Sequence, residues 1–363
     1  MKKIISLIFA SILFFSCSSD KVKSSANYIE KFSLPDEIPV QINIINEQNL
    51  VNILTDSANY DMLSAVEPIV VPSKDARIAK EGENWTSPDF KYVITAENGD
   101  IRKYSVVISK TVPNKNSFED WTLDKGYYVL SDLNWTSGNA GISTALQMLV
   151  RDKTDPQNYP TKQTTEGYEG NAVILETIEG GTVFRREIPL FSGNFFLGNF
   201  NTNKMASDEL AATEFGKLYF AKPKSIKGYY KYQEGAGDFK TNNPSKIGSK
   251  DSCDIYAGFY QASDDNGNEI ILTAKDKDNL KESDYVLAFD RWSNCSGTDG
   301  EFKEFALSFE TYKREPDFKT YSYKLLITFA ASKDGATTYD GKIAYEGKIG
   351  SKLIVDEVEI ENY

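Results

Sequence analysis

Short stretches in which apolar and polar residues alternate recur from Phe32 to the end of the chain, and a period of two is that of a strand with one covered face. Val40, Ile42, Ile44 and Ile45, then Leu50, Val51, Ile53 and Leu54, cluster at strand spacing, and Ile69, Val70 and Val71 precede Pro72 and Ser73. Tyr92–Ala96 and Lys103–Ile108 flank Asn98-Gly99, which predicts a hairpin because both residues tolerate the positive φ of a type I′ turn. After the polar, proline-containing stretch Val112–Asn116 the alternation resumes. It predicts strands at Asn171–Thr177, Gly193–Phe200, Lys227–Gln233, Cys253–Ala262, Tyr285–Asp290, Phe302–Tyr312, Tyr321–Ala330 and Leu353–Ile360. Helical periodicity is confined to a turn at Met205–Ala212. The chain therefore reads as all-β, with an immunoglobulin-like β-sandwich over residues 28–112 and a larger jelly-roll β-sandwich over residues 113–363.

The N-terminus follows a different pattern. Lys2 and Lys3 precede an unbroken apolar run from Ile4 to Phe15, then Ser16 and Cys17. The run is too short for a membrane-spanning helix, which needs about 20 residues, and reads as a lipoprotein signal over residues 1–16. Cys17 would carry the lipid, and several acyl chains hold a protein firmly on a bilayer. Ser18–Ala26 is small and polar, a composition suited to a tether over residues 17–27, so folding is expected to start near Tyr28. The expected location is the outer membrane, facing either the cell surface or the periplasm.

Composition narrows the chemistry. The formal charge is -12, and losing Lys2 and Lys3 with the signal takes it to -14, which argues against nucleic acid as a partner. Histidine is absent, and with it go Ser-His-Asp and Cys-His nucleophile systems and most zinc sites. Glycoside cleavage, which needs only two carboxylates, stays open. Besides Cys17 there are Cys253 and Cys295, either a disulfide or two buried thiols.

Two segments resemble the opening and closing strands of carbohydrate-binding jelly-roll modules: Ser117-Phe118-Glu119-Asp120-Trp121, and Leu353 to Ile360. Between them, Asn134-Trp135-Thr136-Ser137-Gly138-Asn139, Gly198-Asn199-Phe200 and the run from Phe220 to Tyr232, with its Gly228-Tyr229-Tyr230-Lys231-Tyr232, resemble the putative carbohydrate metabolism domain of Bacteroidetes surface lipoproteins. The resemblance spans roughly Asn116 to Tyr363 and implies a link to sugars without supplying catalytic residues. The preceding segment, with Thr95-Ala96-Glu97-Asn98-Gly99 and Lys103-Tyr104-Ser105-Val106, looks like the small sandwich domains placed before such modules. In related jelly rolls a structural calcium sits where the first and last strands meet, which makes Glu119 and Asp356 candidate ligands; the alternative is a hydrogen-bonded strand pair.

Sugars present C–H faces ringed by hydroxyls, so a receptor needs an aromatic surface beside amides, carboxylates or Arg. Candidate platforms are Trp121, Trp135, Tyr229, Tyr230, Tyr232, Tyr256 and Trp292, each also suited to a core. Tyr230 and Tyr232 share one sheet face and Tyr229 and Lys231 the other. Arg291-Trp292-Ser293-Asn294, in a loop after an apolar strand, joins a planar donor to an aromatic. The residues selected for ligand contact are Trp292, Arg291, Asn294, Tyr230, Tyr232 and Trp135. Asp264–Glu269 reads as a hairpin turn around Asn266-Gly267 rather than a calcium loop. The leading expectation is a non-catalytic, lipid-anchored glycan-binding protein. The alternatives are a glycosidase or polysaccharide lyase drawing on Glu119, Asp254 or Glu310, and a structural subunit of a surface assembly.

Overall fold

The computed structural model describes residues 22–363 except 36, 37, 39, 56–59, 61, 206 and 319. The signal and the lipidation site expected at Cys17 lie outside the described residues. The described residues form two compact units. One gathers the residues up to Asp36 with Ile44–Asn52 and Val66–Val107; the other gathers Glu37–Asn43, Ile53–Ala65 and Ile108–Tyr363. The protein is all-β, with 46% strand and 10% helix, in sandwich-like sheets. Among the described residues no helix is long and apolar enough to cross a membrane.

The N-terminal strands make a two-stranded sheet, Ile29–Ser33 against Ile69–Pro72. They also make a five-stranded sheet in the order Val40–Ile45, Leu50–Thr55, Ile101–Lys110, Lys91–Thr95, Arg77–Glu81. Phe32 meets Tyr92 edge-on at 5.9 Å, and Phe90 meets the same ring at 4.9 Å. The hairpin at Asn98-Gly99 forms, but only Gly99 takes a positive φ. Asn98 instead uses its side chain, accepting from Asp100 N at 3.0 Å and donating to the Asp100 carboxylate at 2.7 Å, which makes a longer turn than type I′. Hydrogen-bonded structure begins a few residues before Tyr28, since Ser24 pairs with Glu97 and Asn98.

Besides three two-stranded sheets among the described residues, the second unit is built on two large antiparallel ones. One runs Leu272–Thr273, Thr213–Phe215, Asn194–Phe200, Tyr323–Ala330, Asp254–Gln261, Val286–Arg291, with Trp135–Thr136 and Lys217–Leu218 added, for eight strands. The other runs Thr161–Thr164, Ala172–Val183, Lys352–Asn362, Pro223–Gln233, Lys303–Ser308, with Arg186–Ser192 and Lys115–Asn116 added, for seven. The strand beside the closing one is Lys115–Asn116, with Asn116 opposite Val358; of the expected opening strand Ser117–Trp121, residues 117–120 are not in a strand and Trp121 pairs with Leu130. The main core joins Ile255, Ala257, Phe259, Leu325, Ile327 and Phe329 of the first sheet to Val173, Ile226, Phe305, Leu353 and Val355 of the second.

The outer face of the eight-stranded sheet is covered as well. Every residue of Asp254–Gln261 is buried, because Ile255, Ala257 and Phe259 enter the main core while Tyr256 and Tyr260 enter a second cluster with Phe196, Phe215, Leu272 and Leu326. The cover includes a helix that the sequence pattern did not predict, Asn139–Met148. Its first turn has no acidic residue, its N-cap Gly138 supplies no side-chain cap, and Gly141 sits inside it, so the usual start signals are missing. Gly141 lets the helix approach closely, since a Cβ there would stand 2.7 Å from Met205 Sδ and 2.9 Å from the Phe200 ring and would have to displace them.

Candidate functional site

Under this cover lies a cavity of about 200 Å³. Its floor is the outer face of the eight-stranded sheet, with Phe196, Phe215, Tyr256 and Thr328. One wall is the helix Asn139–Met148, packed through Ala145 against Val183, Ile188 and Leu190 of the Ala172–Ser192 hairpin. The short helix Glu209–Ala212 adds Glu209 and Leu210. An enclosure lined mainly by aromatic and aliphatic side chains with a few polar groups is the usual form of a small-molecule site.

Asp254 is the chemically distinctive lining residue. It opens the strand Asp254–Gln261, is 3% exposed, and faces Arg291 Nε at 3.3 Å. That nitrogen makes no hydrogen bond of good geometry, so the pair is electrostatic. Burial pushes the Asp254 carboxyl up to about 6, against the opposing pull of the Arg291, Lys277 and Lys333 charges. The Thr328 hydroxyl on the adjacent strand is enclosed beside Tyr256 and makes no hydrogen bond of good geometry. Lys277 is buried at the rim, and its ammonium contacts Asp278, Asp334 and the Lys333 carbonyl at 3.3 to 3.4 Å. Across the lining, Glu209 accepts from the Tyr345 hydroxyl and meets Arg186 at 3.5 Å. The cavity thus combines aromatic faces, a carboxyl whose proton is held to about pH 6, a loosely bonded hydroxyl and a second carboxylate.

The residues expected to touch ligand fall elsewhere. Tyr230 and Tyr232 are 2% and 1% exposed and belong to the main core, as does Trp135 at 2%. Trp135 stacks on Phe195 at 5.1 Å and donates to Asn116 Oδ1 at 2.8 Å, and the Tyr230 hydroxyl bonds the Asn294 carbonyl at 2.7 Å. None of the three presents a ring face to solvent. The alternation separates Tyr230 and Tyr232 from Tyr229 and Lys231, but it carries no label for which face is covered. Trp292 is half-buried against the main core, and Trp121 likewise. Arg291 backs the cavity through Asp254 and lies over the Tyr256 ring at 4.8 Å. The side chain of Asn294 is exposed, as is that of Glu310. Asp254 was legible as an acidic residue sharing a strand face with Tyr256 and Tyr260; the cavity around it was not, since its wall is the unsignalled helix.

Glu119 and Asp356 lie at the joined strands but act as acceptors. Glu119 takes the Asn171 N–H at 3.0 Å, and the two Asp356 oxygens take the N–H groups of Glu169 at 3.0 Å and Glu357 at 2.8 Å. Burial pushes the Asp356 carboxyl up to about 6. These carboxylate oxygens are aimed at N–H dipoles, and among the described residues no group of three or more acidic or cysteine residues is placed to hold a metal. Asp264–Glu269 is a hairpin turn, with Gly267 at φ +81° and Asp264 accepting from Asn266 and Asn268. Cys253 and Cys295 are both buried and unbridged.

Among the crystal structures similar to this chain are two from Bacteroides. A protein from Bacteroides thetaiotaomicron described as a putative glycoside hydrolase is 26% identical with a TM-score of 0.60, covering 94% of this chain and 99% of its own. Another from Bacteroides vulgatus, described in the same words, is 29% identical with a TM-score of 0.58, covering 70% of this chain and 100% of its own. A search of curated proteins finds no match. Residues 115–361 match the family described as putative carbohydrate metabolism domain, and since that span is more than half of the sequence, the chain belongs to this family.

Proposed function

We propose that this is a lipid-anchored cell-envelope protein that binds glycans without cleaving them, taking one sugar residue at a chain end into the cavity on the eight-stranded sheet. The observation that carries the reading is Asp254: a nearly dry carboxyl on an aromatic floor, held by an ion pair of loose geometry and open toward the cavity. Sugar C–H faces suit the Phe196, Phe215 and Tyr256 surfaces, and a hydroxyl can bond the Asp254 carboxyl and the Thr328 hydroxyl. A volume of about 200 Å³ suits a single ring rather than a run of them. The lipid on Cys17 would hold the domain at the outer membrane.

Glycoside hydrolysis is the second reading, favoured by a carboxyl that keeps its proton to about pH 6 and by Glu209 in the same lining. The two similar crystal structures bear descriptions of that kind. One experiment separates the readings. Full-length protein in detergent is screened on a glycan array, and every hit is assayed for release of reducing ends. Binding without release, lost in Asp254→Asn, supports the binding reading. Release that is lost in Asp254→Asn and in Glu209→Gln replaces it with hydrolysis, and binding that survives Asp254→Asn removes the cavity from the account.

A further inference from the structure

The outer face of the seven-stranded sheet carries a second, differently built aromatic surface. Tyr229 points outward from the strand Pro223–Gln233, and Tyr168 from the loop 165–171 lies flat upon it, ring centroids 3.6 Å apart and planes 3° from parallel. Phe302 stands edge-on to Tyr168 at 5.8 Å. Tyr168 is 50% exposed although Tyr229 covers one of its faces, so the ring keeps accessible surface. Polar groups border the cluster. Lys231 sits 4.8 Å over the Phe302 ring and 3.9 Å from Glu166, and Glu304 is the register partner of Tyr229 on the neighbouring strand.

An exposed tyrosine on a loop is ordinarily free to move, but this loop is fastened from beneath. Glu119 and Asp356 accept the N–H groups of Asn171 and Glu169, and Asn171 Nδ2 returns a bond to the Glu119 carbonyl at 3.1 Å. Gly167 and Gly170 allow the close approach: a Cβ on Gly170 would stand 2.4 Å from Glu119 Oε1, and one on Gly167 would stand 2.8 Å from Asp356 Oδ2. Asp356 reaches the loop because the closing strand bulges opposite Gly228, where its register shifts between Lys227 and Tyr229, and this turns both Asp356 and Glu357 outward. Burying the Asp356 carboxyl is costly unless it is hydrogen-bonded, and the bonds that offset the cost also fix the loop that carries the ring.

We infer that Tyr168, backed by Tyr229 and Phe302, is a stacking platform for a pyranose within a polysaccharide chain, a second glycan site separate from the cavity. A flat, fixed aromatic face bordered by an ammonium and carboxylates matches the C–H face and the equatorial hydroxyls of a sugar ring, and its openness suits the interior of a chain rather than an end. The inference rests on the chain being a glycan binder but not on the cavity being the place where it binds.

The test is affinity electrophoresis of the full-length protein through gels containing starch, xylan, mannan, β-glucan or pectin, beside calorimetry with the corresponding short oligosaccharides. Wild type should be retarded by one of these polymers. Tyr168→Ala should weaken that retention on the order of tenfold, Tyr168→Phe should restore it, and the affinity for short oligosaccharides should stay unchanged. Retention of Tyr168→Ala equal to wild type overturns the platform and leaves the glycan-binding reading standing. A wild type held by no polymer yet binding short sugars also overturns the platform, whereas one that binds neither removes both.

Discussion

Arg291 Nε stands 3.3 Å from Asp254 Oδ1, and with the guanidinium stacked over Tyr256 this pair joins the end of one strand to the beginning of its neighbour behind the cavity floor. Arg291 was expected to meet ligand directly; it meets instead the carboxyl that lines the cavity. Replacing it with methionine leaves Asp254 buried without its counter-charge, which should cost about 3 kcal/mol. Urea unfolding checks this, and the double variant Asp254→Asn/Arg291→Met should recover part of the loss. A double variant as unstable as Arg291→Met would show that the pairing contributes nothing.

The raised Asp254 carboxyl makes stability depend on pH in a defined direction. Because the folded state holds that proton more tightly than the unfolded chain, the group's contribution is fully present below about pH 4 and is lost as pH rises through about 6. Asp356 titrates in the same direction in both proteins of a comparison and so cancels. Melting temperatures of wild type and Asp254→Asn should therefore diverge between pH 4 and 7, with wild type losing ground as pH rises. A constant gap across that window would contradict the assignment.

Two tyrosines on one face of one strand should respond oppositely to loss of the hydroxyl. Tyr230→Phe removes a 2.7 Å bond to the Asn294 carbonyl and should destabilise by about 1 kcal/mol. The Tyr232 hydroxyl is enclosed without a partner, so Tyr232→Phe should be neutral or stabilising. Neither change should alter glycan binding, which equilibrium unfolding and the same array together check.

Cys253 and Cys295 supply an independent check on the core. Burial pushes the Cys253 thiol well above its ordinary value, and both residues sit in the main cluster. In a Cys17→Ser variant, Ellman's reagent should find no reactive thiol in native protein and two after denaturation. Fewer than two in denaturant would mean a bridge.

The fold was legible where one physical rule dominates. Strands such as Asp254–Gln261 and Tyr323–Ala330 lie within a few residues of their expected limits because a side-chain period of two survives even when both faces are covered. That same double cover hid the cavity on the eight-stranded sheet. On the seven-stranded sheet Tyr230 and Tyr229 both look like strand aromatics, and only the second reaches the surface. Tyr168 gave no sequence signal at all: its platform depends on a loop held by Glu119 and Asp356, residues far from it in sequence whose carboxylates suggested a metal.

The strand Asp254–Gln261 has a consequence for how such proteins diversify. Its residues form two interleaved sets: Ile255, Ala257 and Phe259 answer only to the main core, while Asp254 and Tyr256 answer to what the cavity admits. Substitutions in the second set reshape the cavity lining without reaching the main core. Their cost falls on the outer cluster and on the Asp254–Arg291 pair.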